Sequence, residues 1–341
     1  MKAVVYDAPG SYTITEIPTP DPRPGEVRVR VRQTGICGTD LHIHNGKFFA
    51  EFPLTPGHEL VGPVDALGEG VTGFRAGEYV SVNPNMSCGY CEYCRVGRTL
   101  LCANLKGLGT NWPGAFAEYV SVPANLVFSV EGIDPDISVF TEPTACATHG
   151  VETLDPRPGS SALVFGAGPT GLLLAQLIAR GGASSVTVAA SSAFKLKRAE
   201  ALGIDATFAM DRADLPGDAA KLKAASGGFD IVVDATGSAA VSEQCVPLTR
   251  NGGTVMFYGV TEPEDLVQVS PYDVFRREIT IKGSFAEINS FPAAIAALRS
   301  GRARTDGLIT HRYPLEEYAA ALDALRSDRT VHKIIIECSP Q

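Results

Sequence analysis

At 341 residues, 45% hydrophobic and 20% charged, the chain has the composition of a folded protein with two domains of roughly 100–200 residues each, not that of a disordered segment. Twenty-nine Lys and Arg against 38 Asp and Glu leave a formal net charge of −9, which repels phosphate backbones and anionic lipid and argues against nucleic acid or membrane as partners. No run approaches the roughly 20 apolar residues of a membrane helix, and Met1–Asp7 lacks the apolar core of a signal peptide. A cytoplasmic location is expected, where structural disulfides are rare, so the 8 cysteines need another use.

The first part of the chain is punctuated by Gly and Pro and reads as a β-rich domain with its chemistry on loops. Pro18–Pro24 is a proline-rich loop, and Val27–Val31 alternates apolar and charged residues as a half-buried strand does. Next, Gly35-Ile36-Cys37-Gly38-Thr39-Asp40-Leu41-His42 gathers a thiol, a hydroxyl, a carboxylate and an imidazole, and Gly57-His58-Glu59 adds a second imidazole and carboxylate. Taken singly, each has an ordinary reading as a buried thiol, a core histidine or a surface charge. Taken together, they supply the mixed sulfur, nitrogen and oxygen donors of a zinc site with one open position.

Val61–Val64 and Glu78–Val82 are further strand candidates. Cys88, Cys91, Cys94 and Cys102 then fall in the spacing C-x2-C-x2-C-x7-C. Four thiolates so close fill the tetrahedral shell of Zn²⁺ and leave no place for substrate, so this site is structural. The competing readings are an iron–sulfur cluster and a redox dithiol. Glu142-Pro143 closes this part of the chain.

After the turn Asp155–Gly159 the pattern changes. Ala162–Phe165 is a short apolar run, followed by Gly166-Ala167-Gly168-Pro169-Thr170-Gly171 and the apolar helix Leu172–Ala179. A Gly-rich turn in that strand-to-helix context is a dinucleotide cradle: Gly166 makes the tight turn, Gly168 admits the pyrophosphate, Gly171 lets helix and strand pack closely, and the helix N-terminus, with Pro169 and Thr170, faces the phosphates. Strands are expected at Ser185–Ala189, Asp230–Asp234 and Gly253–Phe257, with a helix over Phe194–Leu202. This alternation implies a parallel sheet covered on both faces. Thr236 and the Gly259-Val260 pair follow later strands, where a nucleotide would lie. Two helices, Phe291–Ser300 and Leu315–Ser327, and the apolar run Val331–Ile336 form a tail too short for its own core.

In the order and spacing of Gly35–His42, Gly57-His58-Glu59, the four-cysteine lobe, Glu142-Pro143 and Gly166–Gly171, the chain resembles the zinc-dependent medium-chain alcohol dehydrogenase superfamily, and within it the polyol branch of sorbitol, arabinitol and threonine dehydrogenases. The resemblance implies an α/β protein: a β-rich GroES-like catalytic domain over 1–143, a Rossmann coenzyme domain with a doubly wound parallel sheet over 144–284, and a segment over 285–341 that returns to the first. It implies two zinc ions, one structural and one catalytic. Cys37, His58 and Glu59 would hold the catalytic ion, with Glu142 ligating in alternation or through water. Asp40 would orient the zinc histidine. Thr39 and His42 would relay the proton released as hydride passes to the nicotinamide, and Ser284-Phe285 matches the family's last nicotinamide-side segment. Homodimers or homotetramers are usual in this branch.

One departure from the family bears on the cofactor. NAD-preferring relatives carry an acid at the end of the second strand to bind the ribose 2′-hydroxyl, and here that position is Ala190. Ser191 and Ser192 offer donors and Lys195 and Arg198 offer charge, so NADP(H) is expected over NAD(H). The substrate is expected to be a small molecule with a secondary hydroxyl, most readily a polyol or sugar alcohol. Simple or amino alcohols with NAD(H) are one alternative, and a noncatalytic NADPH-binding protein on the same fold is another.

Overall fold

The computed structural model describes residues 1–339. The described residues form two compact units: residues 1–145 with Glu287–Arg299 and residues 309–339, and residues Cys146–Ala286 with Ser300–Leu308.

The first unit is a curled sheet whose central path runs through the strands Val127–Ser129, Tyr79–Val82, Glu59–Leu67, Gln33–Ile36, Lys333–Glu337 and Ile309–Pro314. Glu26–Arg30 pairs with both Glu59–Leu67 and Tyr119–Pro123. The alternation read in residues 27–31 has its physical cause here: Val27, Val29 and Val31 are fully buried, and Arg28 points outward to Asp65 at 2.7 Å. The last part of the chain completes this core. Tyr318, Leu322, Ile334 and Ile336 pack in one cluster with Ile36, Leu60 and Val80. Each such side chain contributes about 1.5–3 kcal/mol by leaving water. An N-terminal hairpin, Lys2–Ala8 with Ser11–Glu16, was not evident from sequence because its second strand exposes most of its residues.

In the second unit six parallel strands lie in the order Ala206–Ala209, Ser185–Ala190, Ser161–Phe165, Phe229–Asp234, Thr249–Phe257, Thr280–Gly283. Numbered along the chain this is 3-2-1-4-5-6, the doubly wound order of the Rossmann fold, and the order reverses beside Ser161–Phe165. Ala162–Phe165 is buried throughout, as a strand covered on both faces must be. The return segment is not one piece. Residues 300–308 stay with the parallel sheet because Gln176 bonds both the carbonyl and the N–H of Arg304, and Arg198 donates to the Asp306 carbonyl at 3.1 Å. Among the described residues no helix is long and apolar enough to cross a membrane.

Candidate active site

The strand Gln33–Ile36 ends at Cys37, which is the N-cap of the short helix Gly38–His44. Asp40, in the first turn, accepts the Cys37 N–H at 2.8 Å, so the loop holding the thiol is fixed by its own carboxylate. Glu59 opens the neighbouring strand opposite Gly35. This register brings ligand atoms of Cys37, His58 and Glu59 within 4.8 Å of one another. Buried His58 Nδ1 and Asp40 Oδ1 stand 3.9 Å apart, and neither has a hydrogen-bond partner. Burial pulls His58 toward its neutral form, but the Cys37 side chain, Asp40 and Glu142 outweigh it and raise its pKa well above the usual value. Burial raises the Asp40 pKa, opposed by His58. A thiol, an imidazole and carboxylates so concentrated, with a second carboxylate behind the imidazole, are a donor set that fits Zn²⁺.

Glu142 is buried in the first turn of the helix Thr141–Leu154, near enough to act electrostatically on His58. It lies within 4.8 Å of a second buried carboxylate, Glu287, which accepts from Asn85 Nδ2 at 2.7 Å. Thr39 Oγ1 lies 3.8 Å from Cys37 Sγ, and His42 is half-buried on the same helix. Sequence reading missed Glu287 and Asn85, which lie 202 positions apart and belong to no motif. It also missed Lys333, which donates to both oxygens of Glu59 at 2.7 and 2.6 Å.

The four-cysteine lobe is assembled without disulfides: all 8 cysteines are free, and the ligand atoms of Cys88, Cys91, Cys94 and Cys102 lie within 4.8 Å of one another. The Cys91–Cys94 and Cys88–Cys94 sulfur separations are 3.5 and 4.0 Å. A tetrahedral ion with Zn–S bonds near 2.3 Å sets its sulfurs about 3.8 Å apart, so the lobe fits zinc. Backbone N–H groups aim at the sulfurs, and the one from Tyr90 is the main reason the Cys88 thiol is pulled down to about 6. Cys94 is pushed up to about 11, first by desolvation and then by its neighbour Cys91.

In the parallel-sheet unit, Gly166 takes φ 111°, and a Cβ there would stand 2.9 Å from the Ala235 carbonyl. A Cβ on Gly171 would stand 2.4 Å from the Gly166 carbonyl, which is the close packing read from sequence. Gly168 caps the helix Pro169–Arg180 and faces open space, while Pro169 occupies the first helical position, where no N–H is needed. These features fit a pyrophosphate at that helix N-terminus. Buried Asp234 accepts from Thr236 N and Oγ1 at 2.7 and 2.6 Å, which shapes the loop between Phe229–Asp234 and the next helix. The Gly237 and Gly259 backbones touch closely beside it, and Val260 is 53% exposed. Ser284 Oγ is buried without a partner, and Phe285 beside it is 46% exposed.

At the end of Ser185–Ala190, Ser192 caps the next helix by accepting from Lys195 N. Ser191 Oγ accepts from Arg212 Nε at 3.1 Å, and Lys195 has its pKa lowered by burial and then by Arg212. Arg198 does not join this group. Its guanidinium donates to the Asp306 carbonyl and lies against Gly307, and Arg212, on the loop after the adjacent strand Ala206–Ala209, brings the second positive charge instead.

Comparison with known proteins agrees. Residues 23–132 match the alcohol dehydrogenase GroES-like domain, and residues 169–300 match the zinc-binding dehydrogenase model. The chain is 40% identical over 329 residues to D-arabinitol dehydrogenase 1 of Uromyces fabae, covering 96% of this chain and 94% of that one. A zinc-binding dehydrogenase structure from Sinorhizobium meliloti 1021 bound to NADP superposes with a TM-score of 0.92 at 32% identity, over 98% of each chain. An alcohol dehydrogenase from Escherichia coli CFT073 complexed with NADH superposes with a TM-score of 0.91 at 30% identity, over 99% of each. A four-cysteine lobe and a mixed Cys–His–Glu cluster that both fit zinc, a dinucleotide cradle and these likenesses lead to one statement: the chain belongs to the zinc-dependent medium-chain alcohol dehydrogenase superfamily, in its polyol dehydrogenase branch.

Proposed function

We propose that this dehydrogenase oxidises a secondary hydroxyl of a polyol or sugar alcohol to a ketone with NADP⁺, and runs the reverse reduction with NADPH. The observation that carries the reading is the Cys37–His58–Glu59 cluster backed by Asp40. Cys37, His58 and a carboxylate from Glu59 or Glu142 would hold the catalytic zinc. When bound, that ion polarises the substrate oxygen and stabilises the negative charge it gains as its proton leaves. Asp40 fixes the loop carrying Cys37, and with its other oxygen 3.9 Å from His58 Nδ1 it would orient that imidazole once an ion is bound. Thr39 receives the departing proton and His42 passes it toward solvent. The Gly166–Gly171 turn holds the cofactor pyrophosphate.

The preference for NADP(H) is supported by Ala190, where no carboxylate repels a 2′-phosphate, and by Ser191, Lys195 and Arg212 beside it. One solved relative is bound to NADP and another is complexed with NADH, so the fold alone does not fix the choice. Ala190→Asp and Arg212→Ala are each expected to lower kcat/KM for NADP⁺ about tenfold or more, as the loss of charge-assisted bonds to a phosphate does, with no such loss for NAD⁺. Steady-state kinetics with both cofactors decide it, and a wild-type preference for NAD⁺ overturns it.

Assembly as a homodimer or homotetramer is supported by the edge strand Thr280–Gly283 and by Leu266, Tyr272 and Phe275, which are 87, 70 and 79% exposed. Light scattering on the eluting protein is expected to give at least twice the chain mass. A monomer at micromolar concentration contradicts it.

A further inference from the structure

Lys333 opens the strand Lys333–Glu337, ahead of three buried isoleucines, and is itself 5% exposed, with its ammonium on both oxygens of Glu59 at 2.6 and 2.7 Å and on the Ile36 carbonyl at 3.3 Å. Glu59 is 1% exposed, so the pair is fully desolvated. Such a pair is costly to build and gives little net stability compared with apolar packing, which calls for a role beyond stability. Its neighbours suggest one. Glu59 belongs to the cluster with Cys37 and His58, so its carboxylate would have two claimants: the Lys333 ammonium and an ion held by that cluster.

The sheet is built to let the ammonium reach it. The strands Glu59–Leu67 and Lys333–Glu337 do not pair with each other; Gln33–Ile36 lies between them, with Gly35 opposite both Glu59 and Ile335. A Cβ on Gly35 would stand 2.0 Å from Glu59 Oε2. The missing side chain is the opening through which the carboxylate crosses that strand to the ammonium.

We propose that Lys333 is a positioning residue that competes with the catalytic zinc for Glu59, weakening this carboxylate as a ligand and so keeping a coordination position open for the substrate oxygen. An ammonium bonded to both oxygens draws off the negative charge that would otherwise go to the ion. Cys37, His58 and Glu142 then carry more of the binding. This inference rests on the zinc-dependent reading above and assigns to Gly35 the task of leaving room for the bridge.

The test measures zinc release from the catalytic position in the full-length protein, resolved from the four-cysteine ion by its absence in Cys37→Ser. Visible spectra of the cobalt-substituted protein accompany it, because they report the number and kind of ligands. In Lys333→Met, Glu59 is freed toward the metal. Zinc release to a chelator is expected to slow about tenfold or more, the scale on which a ligand's hydrogen-bond partners act, and the cobalt spectrum is expected to change. Gly35→Ala pushes the carboxylate out of the bridge without altering charge, and should shift release and spectrum in the same direction. Lys333→Arg keeps the cation and should retain the wild-type spectrum. If Lys333→Met fails to fold, Glu59→Gln with Lys333→Met supplies a neutral pair. Its zinc release should not be slowed, because the freed carboxylate is gone.

Wild-type release rates and spectra in both Lys333→Met and Gly35→Ala would reduce Lys333 to a structural partner and overturn the proposal. A wild-type protein that takes up no metal at Cys37 would sink the zinc reading itself, which is a different result.

Discussion

Cys37→Ser is expected to reduce turnover about a thousandfold or more while removing one of two zinc ions per chain. The magnitude follows from what the ion supplies. Polarisation of a substrate oxygen by a metal is worth several kcal/mol of transition-state stabilisation, and each 1.36 kcal/mol is a factor of ten in rate. Serine keeps the shape of the side chain but is a far poorer donor to zinc than a thiolate. The fold should survive, because Cys37 is only half-buried and its loop is still pinned by the Asp40 carboxylate on a backbone N–H. Metal analysis, activity and a melting curve on one sample check the three parts of this expectation. Turnover within a few-fold of wild type would show that the ion at Cys37 is not catalytic.

Cys91→Ser or Cys94→Ser is expected to act in the opposite way, on structure first. The lobe has almost no core of its own: the helix Glu92–Arg95 buries no residue, and Tyr90 and Val96 are 66 and 70% exposed. Structural zinc provides on the order of 10 kcal/mol to small modules of this kind, so a bound ion is expected to supply the folding energy of residues 88–102. Losing one thiolate should release that ion and open the lobe to protease between Cys88 and Cys102. Burial elsewhere in the same unit, with Val29, Leu60, Ile334 and Tyr318 fully covered, should keep the rest folded. Limited proteolysis with mass spectrometry reads this directly. A variant that keeps both zinc ions and resists cleavage would show that the lobe stands on its own packing.

The parts of the site legible in sequence are those in which local spacing does the chemistry. The four cysteines lie within 15 residues, so their convergence needs only a tight loop. The Gly-rich turn is likewise local, because strand, turn and helix follow one another and the glycines answer to steric limits within the turn. Asp40 and Cys37 are three residues apart and bond through the backbone of one helical turn. What remained hidden depends on register between distant strands. Lys333 lies 274 positions from Glu59, and in sequence it is one charge in the apolar run Val331–Ile336. Its meaning appears only when Lys333–Glu337 pairs with Gln33–Ile36 and that strand pairs in turn with Glu59–Leu67.

The cofactor end shows the same limit. Lys195 and Arg198 share a helix and look alike in sequence, but one turn of helix sends Arg198 to the backbone of residues 306–307. The charge beside Ser191 comes instead from Arg212, which the parallel pairing of Ser185–Ala190 with Ala206–Ala209 carries there. The boundary of the second unit was hidden for a similar reason. Residues 300–308 carry no strand or helix signal, and only the side chains of Gln176, Arg180 and Arg198 reveal where they dock.

The central claim is that an ion held at Cys37 and His58 drives hydride exchange between an alcohol and a nicotinamide cofactor. The most direct measurement strips the protein of metal, returns zinc in fractions of an equivalent, and follows NADP⁺ reduction with D-arabinitol and other polyols at each step. The account predicts about two zinc per chain at saturation, with turnover rising only as the site lost in Cys37→Ser fills. Full turnover in protein whose Cys37 site stays empty would contradict it.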